Sequence, residues 1–177
     1  MHPAGHLFPF ALLAASLHAE VASPQSEYPS MQIIGEHRYL HHGIFKVYDA
    51  TLLTPHGADT TVLLSANEPF ELRFHYLRAI KKSTVLKSAN RMLEKNLHPD
   101  DLRKISDEIN QLHTVYTNIK KGDRASLRYH PQIGTVFTFN GKQRITLLGK
   151  DFAKYYFSIW FGPKPVSLDL RDALLGH

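Results

Sequence analysis

Between Phe70 and Tyr76 the chain reads FELRFHY, with Phe70, Leu72, Phe74 and Tyr76 alternating with Glu71, Arg73 and His75. That is the period of a strand with one buried face, so His75 is expected opposite the aromatic side. Ile44 to Leu53 and Thr60 to Leu64 also read as strands, and the breaker-rich TPHGAD between them predicts that they pair as a hairpin. The period then changes. Val85, Leu86, Ala89, Met92 and Leu93 fit one helix. In HPDDLRKISDEINQLHTVYTNI a longer one is expected, with Pro99 in its first turn, acids at its positive end and Gly122 closing it. RASLRYH and GTVFTFNGKQRITLLG return to strand character, and Asn140-Gly141 is the signature of a tight type I′ hairpin.

The stretch DFAKYYFSIWFGPKPVSLDLRDALLG, Asp151 to Gly176, departs from the usual amphipathic pattern. Phe152, Tyr155, Tyr156, Ile159 and Trp160 form one stripe, and Phe157 and Phe161 widen it. A helix apolar nearly all round is buried on several sides or walls a cavity. Asp151 is expected to cap it, Gly162 and Pro163 to end it, and Ser167 to cap a last helix closed by Gly176. Strands, helices, a hairpin and helices again predict an α+β fold, with helices on one side of an antiparallel sheet.

Composition changes this picture little. The 177 residues suit one domain, and 43% hydrophobic with 21% charged residues is ordinary for a folded protein. The net charge of +5 is scattered in short clusters such as Lys81-Lys82 and Lys120-Lys121, which argues against nucleic acid as a partner. The absence of cysteine excludes disulfides, thiolate catalysis and thiolate-bound zinc. Leu7 to Ala19, LFPFALLAASLHA, has signal-peptide length, and cleavage after Ala19 or Ala22 would send the protein to the periplasm or outside the cell. No Lys or Arg precedes the run, and it is too short for an ordinary transmembrane helix, so stable membrane insertion is not expected. The expected organisation is a signal peptide over 1–19, a linker over 20–30 and one domain over 31–177.

Three blocks, GEHRYLHHGIFKVYDATLL, KGDRASLRYHPQIGTVFTFNG and the Asp151 to Gly176 stretch with its tryptophan and LRDALLG, together resemble the bacterial branch of the chalcone isomerase-like family. The resemblance implies an open-faced β-sandwich, an antiparallel sheet carrying one layer of helices with a ligand cleft between them. In the plant isomerases of that family an arginine before a strand, a threonine on it, a tyrosine and asparagine on a helix, and a threonine near the C-terminal helix do the chemistry. By resemblance Arg38 stands near the arginine, Lys46 matches the strand lysine, Tyr48 replaces the first threonine and Ile159 the second. VLKSANRMLEKN offers no tyrosine and asparagine pair. With most of that polar set absent, no catalytic residue is assigned. The expected function is binding of a small apolar or amphipathic ligand such as a fatty acid. Arg38, Lys46 and Tyr48 would form the polar end, and Ile159 and Trp160 the wall. An intramolecular lyase or isomerase of unknown substrate is a further alternative.

Twelve histidines include the cluster His37, His41 and His42, but no metal-spaced motif. No metal site and no cofactor are therefore expected. The alternative is b-type haem, which needs only one or two imidazoles and an apolar pocket, and its candidate axial ligands are His75, His113 and His130.

Overall fold

Six strands form one antiparallel sheet in the order β1-β2-β3-β4-β5-β6, in a computed structural model that describes residues 29–177. They are β1 Met31–His41, β2 Phe45–Pro55, β3 Phe70–Tyr76, β4 Arg124–His130, β5 Gly134–Phe139 and β6 Lys142–Leu147. The apolar run expected to be a signal peptide lies outside the described residues.

The alternation read in FELRFHY extends across the sheet as rows. Leu52 pairs with Leu72, Leu72 with Leu127 and Leu127 with Phe137, and all four are buried. The neighbouring row on the same face is Ala50, Phe74, Ala125 and Phe139. Between these rows, on the opposite face, stand Thr51, Arg73, Ser126 and Thr138. One face is therefore apolar and the other polar, and the helices cover only the apolar one. This is the open-faced arrangement expected of the chain.

The helical layer consists of α1 Lys82–Asn96, α2 Pro99–Lys104, α3 Ser106–Val115, α4 Lys150–Tyr156, α5 Ser158–Phe161 and α6 Leu168–Leu175. The single long helix expected after Pro99 is two, because Ile105 leaves helical geometry (φ −114, ψ 12) to bury its side chain between α2 and α3. The last helical stretch likewise breaks at Phe157, and α4 begins at Lys150, with Gly149 rather than Asp151 at its cap position. Every residue from Tyr155 to Phe161 is buried. Phe157 meets Phe70 of the sheet edge-on at 4.6 Å, while Trp160 lies 5.2 Å from Phe74. The all-round apolar character thus has two causes, burial against the sheet and formation of a cavity wall.

Two strand expectations are corrected. Thr60–Ser65 is a 3₁₀ helix, its start capped by Asp59, whose carboxylate accepts from the Thr61 backbone N–H at 2.9 Å. The partner of β2 on that side is β3 instead. On its other side β2 pairs with β1, with register shifts at Ile33/Gly35, where Ile34 is extra on β1, and at Tyr39/Leu40, where Val47 is extra on β2. Gly35 fills the β1 end of the Leu52 row, directly under α6. A Cβ there would collide with the backbone carbonyls of Ala173 and Leu174. Gly35→Ala is therefore expected to lift α6 from the sheet and to cost about 3 kcal/mol, seen as a lower denaturation midpoint.

Candidate functional site

At one end of the covered face the rows turn from aliphatic to phenolic. Tyr39 pairs with Tyr48 and Tyr48 with Tyr76, so three tyrosines stand side by side on β1, β2 and β3. The Tyr39 and Tyr48 rings lie 5.1 Å apart, and Tyr48 meets Tyr76 edge-on at 6.0 Å. Above them α1 crosses from the link that follows β3, and α5 closes the far side. Between sheet and helices lies a cleft of about 480 Å³, within the range of small-molecule sites.

Its wall is aromatic and anchored. Trp160 Nε1–H donates to the Tyr48 hydroxyl at 3.3 Å, fixing the indole against the tyrosine row, and Tyr156 flanks the indole at 6.1 Å. Ile159, Val85 and Ala89 add aliphatic surface, and Thr84 and Ser88 of α1 add hydroxyls. The mouth is basic, with Arg78, Lys81 and His41 contributing to the lining. None of the described residues lining the cleft is acidic.

The phenols remain neutral hydrogen-bonding groups. Burial pushes Tyr48 far above the usual tyrosine range, against the lowering effect of the Trp160 hydrogen bond. Tyr116, at the cleft floor, is pushed up to about 12 by burial. Burial likewise raises Tyr156, with Tyr116 adding to the effect, and raises Tyr76, where Tyr116, Tyr48 and Asp123 add to it.

The structure brings Tyr48, Ile159 and Trp160 together in this cleft and leaves Arg38 and Lys46 outside it. Strand alternation is the reason for Arg38: Tyr39 faces the helices, so Arg38 faces the open side, opposite Asp49. For Lys46 it is the register shift after Tyr39, which leaves Val47 as an extra residue on β2, lining the cleft, and breaks the alternation between Tyr48 and Lys46. On that open side Arg38 Nε and Nη2 donate to the two Asp49 carboxylate oxygens at 2.6 and 3.0 Å. That hydrogen bond, the Arg38 charge and the nearby His75 and Lys46 charges outweigh partial burial and hold Asp49 below the ordinary carboxylate range. The guanidinium at the cleft is that of Arg78. It continues the inward series Phe74, Tyr76, Arg78 two residues past the end of β3, and extending that alternation by one step is the signal that would have found it.

The open face has its own buried carboxylate. Glu71 is 3% exposed and accepts from Arg73 at 3.0 Å and from Arg128 at 2.7 Å. Burial works to raise its pKa, and the two guanidinium hydrogen bonds and charges outweigh it.

The three histidines proposed for haem are dispersed. His75 faces the open side beside Asp49, and His113 lies on α3, where burial and then Lys82 lower its pKa. His130 ends β4, its Nδ1 accepting from the Gln132 backbone N–H at 3.3 Å. Of the described histidines only His41 lines the cleft. Tyr48 and Ile159, at the positions of the two isomerase threonines by resemblance, do line it, but one is locked to Trp160 and the other is aliphatic. From α1, Thr84, Val85, Ser88 and Ala89 face the cleft, and neither Asn90 nor Asn96 does. The arrangement offers cation, phenol and apolar surface.

No curated protein matches the chain by sequence. Among solved structures it is similar to the crystal structure of a fatty-acid binding protein of Arabidopsis thaliana, with a TM-score of 0.61 and 11% identity over 88% of this chain and 95% of that one. That likeness carries the fold. The model of the chalcone isomerase-like family matches residues 38–176, from the first strand of the tyrosine row through the end of α6. The chain therefore belongs to the chalcone isomerase-like family.

Proposed function

We propose that the protein binds a small amphipathic carboxylate of the fatty-acid class, without catalysis, its acid group at Arg78 and Lys81 and its tail against Trp160, Ile159 and Phe74. The observation that carries this reading is the charge distribution of the cleft: apolar and phenolic within, cationic at the mouth, with no acid in its lining. A carboxylate recognised there meets a guanidinium able to donate two hydrogen bonds, while the tail replaces water on aromatic surface. The structural relative, a fatty-acid binding protein of Arabidopsis thaliana, agrees in kind. Haem is less well supported, since His75, His113 and His130 do not line the cleft. Haem loaded with a Soret band that persists after all three are changed to Ala would assign its ligation elsewhere, with His41 the first place to look.

Calorimetric titration with palmitate tests the assignment of the cation. Arg78→Ala is expected to weaken binding by about tenfold to a hundredfold, the value of a charge-assisted hydrogen-bonded pair. Arg38→Ala, on the far face, is expected to leave affinity unchanged. The reverse pattern would place the carboxylate on the open side and refute the site.

A further inference from the structure

We infer that the tip of the β1–β2 hairpin, together with the basic rim of the cleft, docks on an anionic lipid surface. The tip is a tight turn in which Ile44 N–H donates to the His41 carbonyl at 3.4 Å and His42 and Gly43 take positive φ of 52° and 71°. The turn is three residues long, His42 to Ile44 between the paired His41 and Phe45, and it carries the tip beyond the sheet. What it projects is apolar. Ile44 is 71% exposed, Phe45 50% and Leu40 38%, while the other large exposed apolar side chains among the described residues, such as Val62 and Leu148, are scattered. Scattered ones are ordinary, but Leu40, Ile44 and Phe45 fall within six positions and make an apolar tip, Phe45 on the cleft side beside His41 and Leu40 on the other side.

The tip adjoins the mouth of the cleft. His41, paired with Phe45 across the hairpin, lines the cleft, and the Arg78 guanidinium sits over the Phe45 ring at 5.7 Å. The two chain segments that build the tip and the rim carry charge of one sign. Residues 37–48 and 72–93 contain no Asp or Glu, and the second segment carries Arg78, Lys81, Lys82, Lys87 and Arg91 along the link and α1. Basic side chains beside a shallow apolar wedge suit an anionic bilayer interface, where the wedge enters the headgroup layer and the cations meet phosphates. An acidic protein or nucleic acid would satisfy the cations and leave Ile44 in water. The docking itself stands on the hairpin and the charges. That it delivers the cleft's ligand from the membrane rests on the fatty-acid reading above.

The test is cosedimentation of the full chain with phosphatidylglycerol–phosphatidylcholine vesicles and with phosphatidylcholine vesicles alone. Binding is expected to the anionic vesicles, to fall steeply with added salt, and to drop by about tenfold or more in L40D/I44D, which removes the wedge and adds like charge. Neither residue lines the cleft, so palmitate affinity in the absence of vesicles should be unchanged in that variant. Equal partition to both vesicle types, unchanged binding of L40D/I44D, or full competition by soluble polyglutamate would each overturn the inference. Anionic vesicle binding with this sensitivity in a protein that does not bind palmitate would retain the docking surface and refute the ligand class.

Discussion

Between about pH 10 and 12 the protein is expected to unfold in one steep step, with the ionisation of its cleft tyrosines and the loss of its fold coinciding. Tyr48, Tyr76, Tyr116 and Tyr156 all have folded-state pKa values raised above the ordinary tyrosine value of 10.0, first of all by burial. The neutral phenol is therefore the form that folding favours. Its contribution is complete below about pH 10 and is lost as pH climbs toward the folded values, about 12 for Tyr116. Each such tyrosine weakens the fold by about 1.4 kcal/mol per pH unit in that window. Four together approach about 5 kcal/mol per unit, comparable to the whole stability of a small domain. Tyrosinate absorbance and near-ultraviolet circular dichroism, followed in one alkaline titration, should show coincident transitions. Tyr116→Phe should make the transition shallower by one proton. Ionisation of all the tyrosines with native dichroism retained would show that these rings are open to water and that the cleft floor is not as described.

The largest single-residue effect on stability is expected at Phe157. It is fully buried at the break between α4 and α5, edge-on to Phe70 at 4.6 Å and 6.1 Å from Trp160. Phe157→Ala would leave a cavity where the helical layer is pinned to the sheet, at a cost of about 4 kcal/mol. Because α5 also carries Ile159 and Trp160, the same change should loosen the cleft wall and weaken palmitate binding. Trp160→Phe provides the contrast, since it keeps most of the volume and removes only the hydrogen bond to Tyr48. It should cost about 1 kcal/mol. Denaturant midpoints of the two variants check the order, and a Phe157→Ala protein as stable as Trp160→Phe would contradict the described packing.

These effects rest on features that the sequence showed unequally. The all-round apolar character of Phe152 to Phe161 was enough to predict multi-sided burial and a cavity wall, and Trp160, Ile159 and Tyr48 meet in the cleft. Asn140-Gly141 forms the hairpin expected, with φ of 50° and 74°. Thr60–Ser65 read as a strand because its TTVLL composition is β-rich, but Asp59 caps it as a 3₁₀ turn and its leucines pack sideways against the core. β1 escaped notice because the extra residue Ile34, between Ile33 and Gly35, breaks the alternation that marks a strand. The resemblance puts Arg38 at the ligand, as the arginine that precedes a strand, whereas pairing across β1 and β2 sets Tyr39 opposite Tyr48 and turns Arg38 to Asp49. Side-chain parity within a sheet depends on the pairing partner, and a pairing between segments nine residues apart, with a shift between them, is not carried by local pattern. The tyrosine row has the same origin, since Tyr39, Tyr48 and Tyr76 become neighbours only through register.

The central claim is that this cleft takes an amphipathic carboxylate, and the protein's single tryptophan, Trp160, stands in its wall as a built-in reporter. The most direct measurement is a titration of Trp160 fluorescence with palmitate and, in parallel, with methyl palmitate. Saturable change at a one-to-one ratio with palmitate, and binding weaker by tenfold or more for the ester, is the result expected if a cationic mouth recognises the acid and an aromatic wall the tail. Fluorescence unchanged by either compound, or equal response to acid and ester, would contradict it.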